Sequence, residues 1–166
     1  MNTILDTLIT RYPSLEPVRA DIEKAYAILE ETYLNGGKVL CCGNGGSASD
    51  AGHIVGELMK SFVFKRPIRK DTAEALSAYG EYGTHLSAKL EGALPAISLN
   101  THEALSSAYI NDTDSSSVYA QLLYGLGRAG DTLVVLTTSG NSRNCVLAAV
   151  AAKATGIKVV SLTGQS

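Results

Sequence analysis

His53 and Glu57 are spaced i, i+4 just after a loop of glycine, asparagine and serine, Gly43-Asn44-Gly45-Gly46-Ser47-Ala48-Ser49-Asp50. On a helix that spacing puts both side chains on one face, about one turn apart. A carboxylate and an imidazole so placed can act as a base and as a metal or proton partner; the same two residues also fit an exposed pair on a polar face. That face is rotated away from the apolar stripe Ala51, Ile54, Val55, Leu58 and Phe62. A second loop, Thr137-Thr138-Ser139-Gly140-Asn141-Ser142, repeats the design of the first. A third residue that could do chemistry is Asp112, in Asn111-Asp112, which also fits simply a turn or cap.

Both loops follow a hydrophobic strand signal and open a helix. Glycines let the backbone approach a ligand, hydroxyls donate hydrogen bonds, and the following helix offers unpaired N–H groups and the positive end of its dipole. Ser47 and Ser49 from one loop, with Thr137, Thr138, Ser139 and Ser142 from the other, make a hydroxyl-rich cradle whose natural guest is a phosphate. The alternative is N-capping alone, by Ser47 or Ser49 and by Asn141 or Ser142. Gly43-Asn44-Gly45-Gly46 lacks the G-x-G-x-x-G register, no second strand ends in an acidic residue at the distance a dinucleotide site needs, and no Gly-Lys-Ser/Thr makes a Walker loop. A nucleotide is therefore not the expected ligand.

The elements that must position these residues alternate along the chain. Strand signals lie at 38–42, 95–99, 132–136 and 158–162, with helix-length segments between them at 103–110, 115–126 and 144–154. Val-, Ile- and Leu-rich strands separated by helices predict an α/β doubly wound parallel sheet with helices on both faces. In such sheets ligands bind at the carboxyl ends of the strands, where both loops fall. Ahead of the first strand, Leu15, Val18, Ile22, Ala25, Leu29 and Tyr33 recur at helical spacing, for packing on the same domain or on a second subunit. Residues 64–94 are the least regular stretch and are expected to cover or border the site. Their basic run, Lys65-Arg66-Pro67-Ile68-Arg69-Lys70 with Lys60 nearby, reads either as a solvated loop or as a patch that steers an anion.

With 166 residues and 45% hydrophobic content the chain suits one domain, 1–166. A net charge of −2 argues against bulk binding to nucleic acid or to an anionic membrane, and no apolar run reaches spanning length. Three cysteines, two adjacent at Cys41-Cys42, make neither an even disulfide framework nor CxxC metal spacing, and read as core thiols of a reducing, cytoplasmic compartment.

The same residues make the chain resemble the sugar isomerase (SIS) domain family, and within it the phosphoheptose isomerases. The matching pieces are the run from Cys42 to His53, Glu57, Asn111-Asp112, Thr137-Thr138-Ser139-Gly140-Asn141-Ser142 and Ser161-Leu162-Thr163-Gly164, in the family's order. The resemblance implies a flavodoxin-like sandwich that interconverts sedoheptulose 7-phosphate and D-glycero-D-manno-heptose 7-phosphate. It implies that Asn44, Gly45, Gly46 and Ser47 form the first substrate loop, that Thr137, Thr138, Ser139 and Ser142 hold the phosphate, and that Asn111 and Asp112 contact the sugar. Glu57 corresponds to the catalytic carboxylate, His53 with Glu57 to half of a zinc site, and the assembly to a homotetramer with shared sites. Thr137 stands where serine is usual, Gly52 replaces a bulkier residue, and residues 64–94 are longer than in the best-known heptose isomerases. The chain is expected to be a fragment, because family members continue past Ser166 into a strand and helix that carry a catalytic histidine and a glutamine. One branch resembling the heptose isomerases binds the bacterial replication initiator, which makes a non-catalytic phosphosugar-sensing or protein-binding module the alternative.

Overall fold

In the computed structural model, which describes residues 2–164, every residue of Val39–Gly43 (β1) and Thr132–Thr137 (β3) is buried. Burial at every position is what a strand covered on both faces must show. These two central strands pair in parallel, Val39 opposite Thr132 and Gly43 opposite Leu136. Ala96–Ser98 (β2) flanks β1 and Lys158–Thr163 (β4) flanks β3, giving a parallel sheet of order β2-β1-β3-β4. The doubly wound α/β expectation is met.

Around the sheet run eight helices of the described residues: α1 (Asn2–Arg11), α2 (Arg19–Leu34), α3 (Gly46–Met59), α4 (Lys70–Leu76), α5 (Gly80–Lys89), α6 (Glu103–Asp112), α7 (Val118–Leu126) and α8 (Arg143–Ala154). Side chains alternate across a strand, so β1 and β3 feed two cores. Leu40, Cys42, Leu133 and Val135 pack with Leu122 and Leu123 of α7 and with Cys145 and Ala148 of α8. On the opposite face, Val39, Cys41, Val134 and Leu136 pack with Ala51, Ile54, Val55 and Leu58 of α3 and with Leu29 and Tyr33 of α2. The leading helix thus lies on its own sheet, where a buried hydroxyl pair, Thr32 Oγ1 to Thr132 Oγ1 at 2.6 Å, ties it to β3.

Two expectations about local structure need correction, and a third, the weak helical pattern late in residues 64–94, is met by two helices. The leading helix starts at Arg19 rather than near Leu15, because Pro13 and Pro17 hold residues 13–18 in a 3-10 turn. Phe62 is not part of the α3 stripe: the helix stops at Met59, Lys60 is extended, and Phe62 is exposed. Residues 64–94 contain a helical hairpin, α4 and α5, in which Gly83 lies so close to the Leu76 carbonyl that a Cβ would clash.

Arg66 closes the neck of that excursion. Its guanidinium donates to the carbonyls of Gly92 (2.8 Å), Leu58 (2.7 Å) and Lys60, while its own amide donates to Ser61 Oγ at 2.8 Å. Glu91 Oε2 accepts from Ser61 N at 2.7 Å across the same neck. Arg69 pairs with Asp71 at 3.2 Å. Arg66 therefore fastens the hairpin to the end of α3 rather than steering an anion.

At the opposite end of the sheet from the loops, buried Asp131 accepts from Lys38 Nζ at 2.6 Å, from Lys38 N at 2.9 Å and from Arg128 N at 2.8 Å. This carboxylate joins the start of β1 to the turn before β3. No helix of the described residues is long and apolar enough to cross a membrane. Asp131→Ala strands the Lys38 ammonium and two backbone donors, so a loss of about 3 kcal/mol in urea unfolding is expected. A loss under about 1 kcal/mol would show that this clamp does not hold the base of the sheet.

Candidate functional site

The chain leaves β1 toward β2 and later crosses to the other side of β1 to form β3, so the connections diverge between β1 and β3. A crevice opens at such a switch point, outside the carboxyl ends of the strands. The 43–46 and 137–142 loops flank it. Asn44, Gly45 and Gly46 are exposed, Ser47 is half-buried, Thr138 and Ser139 are exposed, and Thr137 is buried.

Neither loop spends its hydroxyls on capping. The N-cap of α3 is Gly45, with φ 55° and ψ −122°, and the N-cap of α8 is Ser142; neither makes a side-chain cap bond. Ser47 N and Ala48 N turn in on Asn44 O (3.0 Å) and Gly45 O (3.1 Å). Ser142 Oγ instead meets Thr137 Oγ1 at 3.1 Å, so these two cradle hydroxyls lie side by side, and Ser139 Oγ accepts from Asn141 N at 3.2 Å. Two helix N-termini without side-chain caps, flanked by hydroxyls, suit an anion without any lysine. Arg143, the first residue of α8, is a cation at this end and reaches Ser116 Oγ at 3.3 Å.

Residues that the loop patterns do not reveal fasten the first loop, one of them from the start of the helix that the second loop opens. The amides of Asn44 and Asn144 bond reciprocally, each Nδ2 to the other's Oδ1 at 2.9 Å. Tyr119 Oη donates to Gly43 O at 2.6 Å, and Asn100 Nδ2 donates to Gly43 O at 2.8 Å and to Tyr119 Oη at 2.6 Å. Asn100 and Tyr119 come from the connection between β2 and β3 and Asn144 from that between β3 and β4, and only an Asn just after a strand, as at Asn100, hinted at any of them. Below the loop, burial pushes the Cys41 thiol up to about 12, while Cys42 is pushed up by its hydrogen bond with Cys145 and by burial. All three cysteines are free and buried.

His53 and Glu57 share a face of α3, as their spacing predicts, with His53 Nε2 3.6 Å from Glu57 Oε1. Lys60 Nζ lies 3.3 Å from the same oxygen. Along the helix axis His53 is about 10 Å and Glu57 about 16 Å from Gly46. Together with Asp50, Ile54 and Leu58 they line an open depression of about 410 Å³, with the His53 side chain 77% and the Glu57 side chain 29% exposed. Within one chain no hydrogen bond or ion pair of the described residues links either to the 137–142 loop. Among the described residues no three His, Cys, Asp or Glu side chains form a metal-binding group. His53 and Glu57 offer two donors, short of the three protein ligands of a catalytic zinc centre.

Asn111 and Asp112 are the last residues of α6, exposed and bonded to one another, Asn111 Nδ2 to Asp112 Oδ1 at 2.6 Å. The pair makes no bond to either loop in the described residues. Nearby, Ser117 first, then the amide and hydroxyl of Ser116, hold the Asp114 carboxyl below its ordinary range.

The SIS domain family profile matches residues 13–92 and 74–164. A phosphoheptose isomerase of Akkermansia muciniphila is 34% identical over 154 residues, covering 93% of this chain and 68% of that protein. The DnaA initiator-associating protein DiaA of Escherichia coli is also 34% identical, over 159 residues, covering 96% of this chain and 68% of that protein. A solved phosphoheptose isomerase structure from Francisella tularensis superposes with a TM-score of 0.64 at 31% identity, covering 98% of this chain and 76% of that one. The chain belongs to the SIS domain family.

Gly45 sits in a backbone region that side chains resist, with open space around its Cα, whereas Gly46 is helical and equally open. Gly45→Ala should cost about 1–3 kcal/mol and Gly46→Ala should be nearly neutral in thermal unfolding. Equal effects would mean that the loop does not depend on this conformation.

Proposed function

From its place in the SIS family, we propose that this protein is a phosphosugar isomerase, most specifically one that interconverts sedoheptulose 7-phosphate and D-glycero-D-manno-heptose 7-phosphate. The observation that carries the proposal is the pair of anion-suited loops at the switch point, the first tied through Asn44 to the first turn of the helix that the second opens, in a chain 34% identical to a phosphoheptose isomerase. The loop amides and hydroxyls, including Ser47, Thr138, Ser139 and the Thr137–Ser142 pair, hold the phosphoryl group, and Asn111 and Asp112 belong to the sugar end. Anchoring the remote end of the substrate orients its reacting carbons.

In the ketose-to-aldose direction, a carboxylate removes a proton from C1, leaving an enediolate whose negative charge lies on O2 until that oxygen is protonated. Returning that proton to C2, while the hydroxyl proton moves from O1 to O2, completes the exchange without any redox change. Glu57 is the proposed base. Zinc, if bound, would polarise the substrate oxygen, with His53 Nε2 and Glu57 Oε1 as this chain's two donors. Since two donors do not make a site, no step here depends on it. The open His53–Glu57 face fits a homo-oligomer with shared sites, and three buried free thiols fit a cytoplasmic setting.

A second reading has its own support: His53 stands 77% exposed, Glu57 is paired with Lys60, and a relative of equal identity is named for association with an initiator protein. On that reading the domain senses a phosphosugar or binds a protein without catalysis.

The full-length protein, incubated with sedoheptulose 7-phosphate with and without zinc, is expected to form the aldose. Retained binding without turnover would favour the sensing module. Glu57→Gln should lower turnover at least about 100-fold while leaving sugar phosphate affinity within about threefold. Equal loss of both would assign Glu57 a structural role.

A further inference from the structure

Asn44 is expected from the sequence to touch the ligand, yet its side chain is committed inside the protein. A primary amide has two N–H donors and an oxygen with two lone pairs. Asn44 Nδ2 donates to Asn144 Oδ1 at 2.9 Å and lies 3.9 Å from Cys145 Sγ. Asn44 Oδ1 accepts from Asn144 Nδ2 at 2.9 Å and faces Tyr119 Oη at 3.1 Å. The Cys145 amide, donating to Asn144 Oδ1 at 3.0 Å, fixes which way the Asn144 amide points, and through it the Asn44 amide. On the other side of Asn44, the Gly43 carbonyl is held by both Tyr119 and Asn100.

We propose that Asn144, Tyr119 and Asn100 are positioning residues that clasp Asn44, so that the two loops act as one preorganised anion site. Asn44 then serves the ligand through the backbone of its loop and not through its amide. The inference deepens the phosphosugar reading and rests on it for the identity of the ligand. The physical gain is preorganisation: two separately mobile loops must be ordered when the anion arrives, whereas clasped loops are already in register. The clasp spans 100 residues of sequence and joins the loop after β1 to the first turn of α8, across the crevice.

The test uses the full-length protein with Asn44→Ala, Asn144→Ala and both together. One measurement is sedoheptulose 7-phosphate affinity by calorimetry; the other, without ligand, is amide hydrogen exchange over residues 43–49. With a clasp, each single change lowers affinity about tenfold, the double change is within about twofold of either single, and Asn144→Ala speeds exchange at 43–49 about tenfold. Multiplying losses in the double variant, or a large effect of Asn44→Ala beside a wild-type Asn144→Ala, would mean that the Asn44 amide touches the ligand itself, overturning the proposal. So would unchanged exchange at 43–49, since a residue that only caps α8 protects α8 alone. Should Asn144→Ala not fold, Asn144→Asp keeps an acceptor for Asn44 and Cys145, removes the returning donor and adds a negative charge, so it is read by the ligand-free exchange measurement alone, with the same expected and overturning outcomes. If the wild-type protein binds no sugar phosphate, the functional reading falls, while the exchange result still decides the clasp.

Discussion

The parallel pairing of β1 with β3 is the constraint on which the rest depends. It forces the chain to go one way from β1 to β2 and the other way to β3, so two strand-to-helix turns end side by side with nothing threaded between them. Each turn alone would be a helix start. Side by side they bring Thr137, Ser142 and the exposed 44–46 backbone to one crevice. The same pairing demands burial on both faces, which explains why β1 and β3 carry no charged residue and why adjacent cysteines are tolerated at Cys41-Cys42. Their thiols serve as small apolar side chains, one for each core.

Much of this was legible because it is local. Strand composition, glycine position and the i, i+4 relation of His53 and Glu57 each follow from a few neighbouring residues, and the sheet class follows from their alternation. What could not be read was non-local or depended on a backbone acceptor. Tyr119 looks like an ordinary apolar helix residue, yet its hydroxyl holds a carbonyl 76 positions away. Asn144 looks like a first-turn polar residue, and Asn100 like a turn former. Capping was the natural alternative for the loop hydroxyls, but neither helix has a side-chain cap bond: Gly45 occupies one cap position and Ser142 turns to Thr137 at the other.

The excursion between α3 and β2 shows the same division. A run of basic residues can suggest a field acting on a ligand, but Arg66 commits its Nε and Nη2 to the carbonyls of Leu58, Lys60 and Gly92. Those carbonyls belong to the unpaired end of α3 and to the returning strand approach, groups that must find donors somewhere. A guanidinium, with its five N–H donors in a fixed fork, can satisfy several of them at once. The hairpin can then stand off the sheet, its Phe64, Tyr79 and Tyr82 exposed, without loosening the helix that carries His53 and Glu57.

The proposed anion holding and proton transfer fall on different parts of one helix. On the proposed isomerase reading, the N-terminus of α3 and its neighbour α8 would grip a phosphoryl group that does not change during the reaction, so their grip would be equally strong in ground and transition states and would govern affinity rather than turnover. On that reading the rate would come from the His53–Glu57 face, two to three turns further along, where Glu57 is paired with Lys60. An ion pair so open to solvent is worth at most about 1 kcal/mol. A substrate anchored at the loops can therefore displace Lys60 cheaply when its reacting carbons reach Glu57, whereas a module that only senses the sugar has no reason to disturb the pair. The strength of the phosphate grip consequently says little about which of the two this protein is; the fate of the Glu57–Lys60 pair on binding decides it.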